Sequence, residues 1–344
     1  MDNSKDLFDV TVIGSGPAGL YGVFYARLRG MKAKILDALP ELGGQLVTLY
    51  PEKYIYDVAG FPKVLAKDLA RNLVEQALSL GPTVCLGAKV TTLKSREENS
   101  QRIFELVTDD GSSHLTKSVV LTAGIGAFQP KRLDVPGVID FEGRGIHYFV
   151  NEKKIFRDKE ILIVGGGDSA VDWALNLSDT AKRITLIHRR DQFRAHEESV
   201  KELLSSQVEV NTFHELKAVR GNSTVEEAVI FDNRTGAERA LRVDAVIINL
   251  GFRADLGPIK EWGLEIDRGG IKVNYRMETS VVGIFAAGDI ASHPGKLKLI
   301  STGFGEVATA VNFAKNLVDP GSKVFPGHSS DMQSMPSTAI GRWC

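Results

Sequence analysis

Hydrophobic positions near the start of the chain change their period twice. Phe8 to Ile13 is a short apolar run ending at Gly14, the pattern of a buried strand. From Gly19 the stretch LYGVFYARLRG carries apolar residues at helical spacing and stops at Gly30, a C-cap glycine. Ala33–Leu36 is a second short apolar run. Strand, helix and strand in this order predict a β-α-β unit with parallel strands.

An aromatic-rich stretch follows, LVTLYPEKYIYDVAGFP, and then helical spacing over Lys67–Leu80. Short strand patterns lie at Thr83–Leu86, Lys89–Leu93, Ile103–Thr108 and Val119–Thr122, with Gly111-Ser112 as a hairpin turn. The pattern breaks at Gln129–Gly137, where Pro130 and Pro136 mark a domain junction. A second β-α-β unit begins at Glu160 with ILIV, GGGDSA, a helix through Leu177 and the strand ITLI. Strands follow at Val208–Phe213, Val225–Phe231 and Ala245–Leu250. The chain closes with the strand-like IFAAGDI (Ile284–Ile290), a helix over Val307–Leu317 and a polar tail. The last dozen residues carry no pattern, which predicts a loose end.

The first glycine loop, VIGSGPAG, holds Gly14, Ser15, Gly16, Pro17, Ala18 and Gly19 in G-x-G-x-x-G spacing. The spacing alone is weak evidence, but here it follows a strand and opens a helix, the context a dinucleotide site requires. Asp37 ends the second strand, 18 residues after Gly19, where an acid accepts hydrogen bonds from an adenosine ribose. A structural turn with a surface Asp is the plainer alternative.

The second loop, VGGGDSA, holds Gly165, Gly166, Gly167, Asp168, Ser169 and Ala170 in the G-x-G-x-x-A variant. The position 18 residues after Ala170 is His188, followed at once by Arg189 and Arg190, with Arg194 close behind. A carboxylate there would repel a ribose 2′-phosphate, whereas guanidinium groups bind it bidentately. The second loop is therefore expected to prefer NADP(H) to NAD(H). A solvated basic turn is the plainer alternative for the charge run.

Composition narrows the picture. The chain has 344 residues with 42 Lys+Arg against 43 Asp+Glu, and near-neutrality argues against a general nucleic-acid binder. The basic stretch HRRDQFR has no interleaved stacking aromatics of the kind that bind single strands. The N-terminus has no signal-peptide pattern and no apolar run is long enough to cross a membrane. Cys85 and Cys344 are too few for a disulfide framework or a Cys-rich zinc site, which fits a reducing, cytoplasmic compartment.

Two dinucleotide loops in one chain suggest one flavin and one nicotinamide, and TSVVGIFAAGD (Thr279–Asp289) supports the flavin. That element resembles the second FAD fingerprint of flavoproteins with two dinucleotide-binding domains. The expected fold is α/β with two Rossmann-like, three-layer ββα domains, the NADPH domain inserted into a discontinuous FAD domain. The expected boundaries are 1–124 and 281–330 for the FAD domain, 125–280 for the NADPH domain and 331–344 for the tail.

With GSGPAG, GGQLVTLYPEKYIYDVAGFP, GGGDSA, HRRDQFRA and AAGDI together, the chain resembles the thioredoxin-reductase-like class of ferredoxin–NADP+ reductases over nearly its whole length. A thioredoxin reductase carries a redox C-x-x-C before its second glycine loop, and RGIHYFVNEKKIFRDKEILIV has no cysteine. The resemblance implies noncovalent FAD held by the first loop and Asp37, with Gln45, Tyr50, Val90, Phe128 and Asp289 at further contact positions. It implies Tyr50 on one flavin face, with core packing an equal reading of that residue. It places His328 on the other face and Ser330 nearby. It implies hydride transfer from NADPH to FAD, single-electron delivery to ferredoxin or flavodoxin, domain rotation during turnover and a homodimer. Lys153, Lys154, Lys296 and Lys298 are candidate cations for steering an acidic ferredoxin, or simply solvated surface. Other readings stay open: an NADPH-dependent diaphorase or quinone reductase, and a nonenzymatic flavoprotein sensor.

Overall fold

The computed structural model describes residues 6–98, 101–124, 126–150, 152–328 and 342–344. The chain divides into two units, Met1–Ala127 with Ala254–Cys344, and Phe128–Arg253. The second unit is thus inserted in the first. Its end falls at 253 rather than the expected 280, and packing explains the difference. Leu256, Ile259, Trp262, Ile271, Val273 and Met277 are all buried in the first unit's core.

The first unit is built on a six-stranded sheet in the order Ile284–Ala286, Val119–Leu121, Val10–Ile13, Ala33–Leu36, Thr83–Cys85, Arg342–Trp343. All five pairings are parallel. Val10, Val12, Ile35 and Val119 through Leu121 are 1% exposed or less, as apolar runs covered on both faces must be. The helices Pro17–Leu28 and Ile300–Val318 pack against each other. Gly22 lies at their contact, where a Cβ would come 2.6 Å from Val307 Cγ2. A smaller four-stranded sheet carries Leu7–Phe8, Ser113–Thr116, Gln101–Thr108 and Val90–Glu98. Between the sheets Lys34 is fully buried, its Nζ 3.0 Å from His114 Nδ1 and 4.3 Å from the centre of the Phe8 ring.

The second unit repeats the plan. Its parallel sheet runs Ile146–His147, Ala245–Ile248, Glu160–Val164, Arg183–His188, Glu209–Thr212. An antiparallel sheet adds His214–Gly221, Val225–Asp232 and Glu238–Arg242. The first and third of these strands have no clean apolar alternation and are not predicted by pattern. The final helix also begins earlier than expected, at Ile300 instead of Val307, because its first turns are rich in Ser, Thr and Gly.

The chain's end departs from expectation most. Arg342–Trp343 forms the outermost strand of the large sheet, paired with Thr83 and Val84. Cys344 is joined to Cys85 in a disulfide, although the two residues are 259 positions apart. Sequence pattern missed the strand because two residues are too few to show a period.

Candidate functional site

In the first unit the loop after Val10–Ile13 is shaped by backbone contact. Gly14 has φ of 106°, and a Cβ there would lie 2.6 Å from the Thr122 carbonyl oxygen. A Cβ on Gly19 would lie 1.8 Å from the Gly14 oxygen, so the helix can approach the strand only without one. Gly16, by contrast, faces open space. The helix that starts at Pro17 has no acidic residue in its first turn, so its positive end is available to an anion. Ser15 is fully buried and its Oγ has no partner among the described residues.

Asp37 stands across this loop. Its Oδ2 accepts the Ser15 N–H at 2.5 Å and its Oδ1 accepts the Leu39 N–H at 2.8 Å. Its own N–H donates to the Cys85 carbonyl at 3.0 Å, and its carbonyl accepts from the Ala88 N–H at 2.8 Å. The carboxylate is therefore fixed in place beside the loop, with lone pairs left for ribose hydroxyls. An open glycine face, a helix N-terminus, an orphan hydroxyl and a fixed acid together fit the pyrophosphate and ribose of a dinucleotide.

The other expected flavin contacts gather in part. Gln45 opens the short helix Gln45–Thr48, and its Nε2 lies 2.9 Å from where a Gly124 Cβ would stand. Tyr50 packs half-buried on the core, and burial, with Asp289 and Asp57 nearby, pushes its hydroxyl up to about 12. Burial also raises Asp289 above the usual carboxylate range, against the pull of Lys296 and Lys298. Tyr50 and Asp289 thus share one electrostatic neighbourhood. Val90 is a buried core residue. His328 is exposed and meets Phe325 edge to face at 5.4 Å. The side chain of Phe128, in the strand Ala127–Pro130, and all of Ser330 lie outside the described residues.

Pattern reading missed the group behind Asp289. Glu306 is 7% exposed, and its Oε2 accepts the Gly288 N–H at 2.8 Å. The same carboxylate meets Lys296 at 2.5 Å and His293 Nε2 at 3.0 Å. Lys296 is thus engaged with Glu306, its side chain 9% exposed. A single Glu inside the apolar run FGEVATAV was the available signal. Lys154 likewise pairs with Glu152 at 2.8 Å, and Lys153 donates to Asn176 Oδ1 at 3.1 Å. Lys298 is exposed, beside a cavity of about 230 Å3 that Asp289 and Arg268 also line.

In the second unit the basic segment wraps the glycine loop. The Arg194 N–H donates to the Gly166 carbonyl at 2.7 Å, and the His196 N–H to Asp168 Oδ1 at 3.0 Å. The His188 ring lies against Gly166, where a Cβ would come within 2.3 Å of Nδ1. Its Nε2 is 3.1 Å from the Gln192 carbonyl, and its ring leans on Phe193 at 5.2 Å. Burial holds His188 below its usual pKa; the Gln192 carbonyl opposes this, and Arg189, Arg190 and Arg194 add repulsion. His188 therefore packs against the loop at Gly166. Arg189, Arg190 and Arg194 are exposed, and their guanidinium groups have no ion-pair or hydrogen-bond partner among the described residues. Ser169 is exposed and Ala170 buried at the start of the helix Asp168–Leu177, and Gly167 faces open space.

Comparison with known proteins gives the family and the fold. Residues 8–313 match the family described as pyridine nucleotide-disulphide oxidoreductase. A ferredoxin–NADP reductase of Symbiobacterium thermophilum is 53% identical over 338 residues, covering 97% of this chain and 100% of that protein. One from Thermus thermophilus is 52% identical over 339 residues, with 97% and 100% covered. Among solved structures, Lactococcus lactis thioredoxin reductase in its FR conformation aligns with a TM-score of 0.76 at 26% identity, covering 90% of this chain and 99% of that one. Thioredoxin reductase of T. acidophilum aligns equally well, also at 0.76 and 26%, with 91% and 98% covered. No helix of the described residues is long and apolar enough to cross a membrane. The chain belongs to the pyridine nucleotide-disulphide oxidoreductase family.

Proposed function

We propose that this chain is a ferredoxin–NADP+ reductase that uses NADPH and noncovalent FAD. The carrying observation is the asymmetry of its two glycine loops. One faces a fixed carboxylate, Asp37; the other is held through backbone N–H groups by a segment that carries three exposed arginines, Arg189, Arg190 and Arg194. An acid suits an unphosphorylated ribose and guanidinium groups suit a 2′-phosphate. The first unit would hold FAD through Gly14–Gly19, Asp37, Gln45, Tyr50 and Asp289. The second would hold NADPH through Gly165–Ala170, Arg189, Arg190 and Arg194. FAD, when bound, accepts electrons as a pair from the nicotinamide and releases them one at a time. The protein's part is binding and electrostatics: half-buried Tyr50 excludes water, and His188 supports the NADPH loop.

The ferredoxin–NADP reductases among the relatives support ferredoxin as acceptor; flavodoxin and a homodimer come from the resemblance alone, and a cytoplasmic location from the scarcity of cysteine. The test is direct. Purified protein should be yellow, bleach within milliseconds to seconds of mixing with NADPH under argon, and reduce cytochrome c only when ferredoxin is added. Fast turnover with dyes or quinones and none through ferredoxin would instead identify a diaphorase.

A further inference from the structure

The only two cysteines of the chain meet at one edge of the flavin-unit sheet. We propose that Cys85 and Cys344 form a reversible thiol–disulfide site, a latch that holds the chain's end on the sheet and stiffens the adenosine end of the FAD site. The second clause rests on the FAD reading above; the first does not.

The argument starts with the strand. Arg342–Trp343 pairs with Thr83–Val84, and the Cys344 N–H donates to the Val84 carbonyl at 2.9 Å. A two-residue strand at a chain terminus frays unless something ties it down. Trp343 and Arg342 are exposed, and Arg342 meets Asp6 at 4.0 Å. The covalent bond adds a tie that does not fray. The two Cα atoms are 4.8 Å apart, within the range a disulfide spans. Cys85 is also the residue whose carbonyl receives the Asp37 N–H. The latch therefore acts one hydrogen bond away from the acid proposed to hold the ribose. When it is closed, Thr83–Cys85 is an inner strand; when it is open, that strand becomes the sheet's edge.

The chemistry is exchange with a small-molecule or protein dithiol. A reductant thiolate attacks the sulfur of exposed Cys344, and Cys85 leaves as a thiolate and takes up a proton. The reductant's second thiolate then displaces Cys344, which is protonated in turn. Two electrons and two protons pass to the pair, and the reductant ends as a disulfide. In a reducing compartment, a pair that depends on its surroundings in this way is regulatory more often than structural.

The test uses the flavin-loaded full chain equilibrated with oxidised glutathione or with dithiothreitol, beside Cys344→Ser. Intact mass after denaturing alkylation should show no added groups on the oxidised protein and two on the reduced protein. Carboxypeptidase should trim reduced wild type and Cys344→Ser while sparing oxidised wild type. FAD should dissociate at least threefold faster from the reduced and variant proteins. Two reactive thiols in the oxidised sample, a bond between separate chains, or equal trimming of all three samples would overturn the latch. Equal FAD release would overturn the coupling to the nucleotide site. Protein purified without any flavin would refute the FAD reading and leave the alkylation result standing.

Discussion

The carboxylate of Glu306 accepts the backbone N–H of Gly288 at 2.8 Å, and so the final helix fixes the turn that presents Asp289. Lys296, 9% exposed at its side chain, neutralises that carboxylate from the other side at 2.5 Å. Removing Glu306 leaves a buried ammonium without its partner, a loss of about 3–5 kcal/mol in comparable sites. Glu306→Ala should lower the urea midpoint sharply and lower flavin content with it. Glu306→Gln, which keeps an acceptor for Gly288, should retain more flavin than Glu306→Ala. Equal flavin content in both variants and wild type would show that the Gly288 turn does not depend on this side chain.

Arg189 and Arg190 should matter to one cofactor only. Arg189→Ala combined with Arg190→Ala should raise KM for NADPH by about tenfold or more, the worth of a charge-assisted bond or two. KM for NADH should move little. Steady-state kinetics with both donors decide the point, and an equal rise for each would remove the 2′-phosphate assignment.

Gly166 offers a way to separate the two loops. An alanine there would place its Cβ within 2.3 Å of the His188 ring, so the loop or the ring must shift. Gly166→Ala should therefore retain a full complement of FAD while losing most NADPH affinity. Gly19→Ala, which would drive a Cβ to 1.8 Å from the Gly14 oxygen, should do the reverse and yield protein poor in flavin. Absorbance ratios of the purified variants and NADPH titrations give both answers.

Acid should weaken the first unit through His114. Burial and the neighbouring Lys34 lower its pKa to about 4 from 6.5. Between those values the unfolded chain binds more protons than the folded one, so stability falls as pH drops from 6.5 toward 4. Lys34 is lowered by burial to about 8 from 10.5, so its contribution makes stability rise between pH 8 and 10.5. Chemical denaturation at a series of pH values should show both slopes. His114→Gln should flatten the acid one.

Much of this protein could be read from period and spacing. Both glycine loops, Asp37, the basic triad and the α/β class all announce themselves in contiguous stretches of fewer than fifty residues, because a strand, a phosphate-binding turn and a helix are local events. What could not be read depends on contacts made across the whole chain. Glu306 looks like an ordinary helix residue until Gly288 and Lys296 are folded onto it. The course of 254–280 is settled by which core Leu256 and Trp262 enter, and nothing in their own neighbourhood tells. His188 stood at the right count from Ala170 but serves the loop by packing against Gly166. The Cys85–Cys344 bond spans 259 positions and leaves no local mark at all.

The strand order of the first unit has a consequence for how the chain comes off the ribosome. Its sheet has Ile284–Ala286 at one edge, and its leading helix packs on Ile300–Val318. Residues 128–253 form a compact unit whose partners all lie within one continuous stretch, so they can pair as they are made. The helix Pro17–Leu28 and the strand Val119–Leu121 must wait for residues 284–318. Until residues 284–318 are made, the strand Val119–Leu121 lacks its outer partner, and that open edge is then the part of the nascent protein most in need of a chaperone.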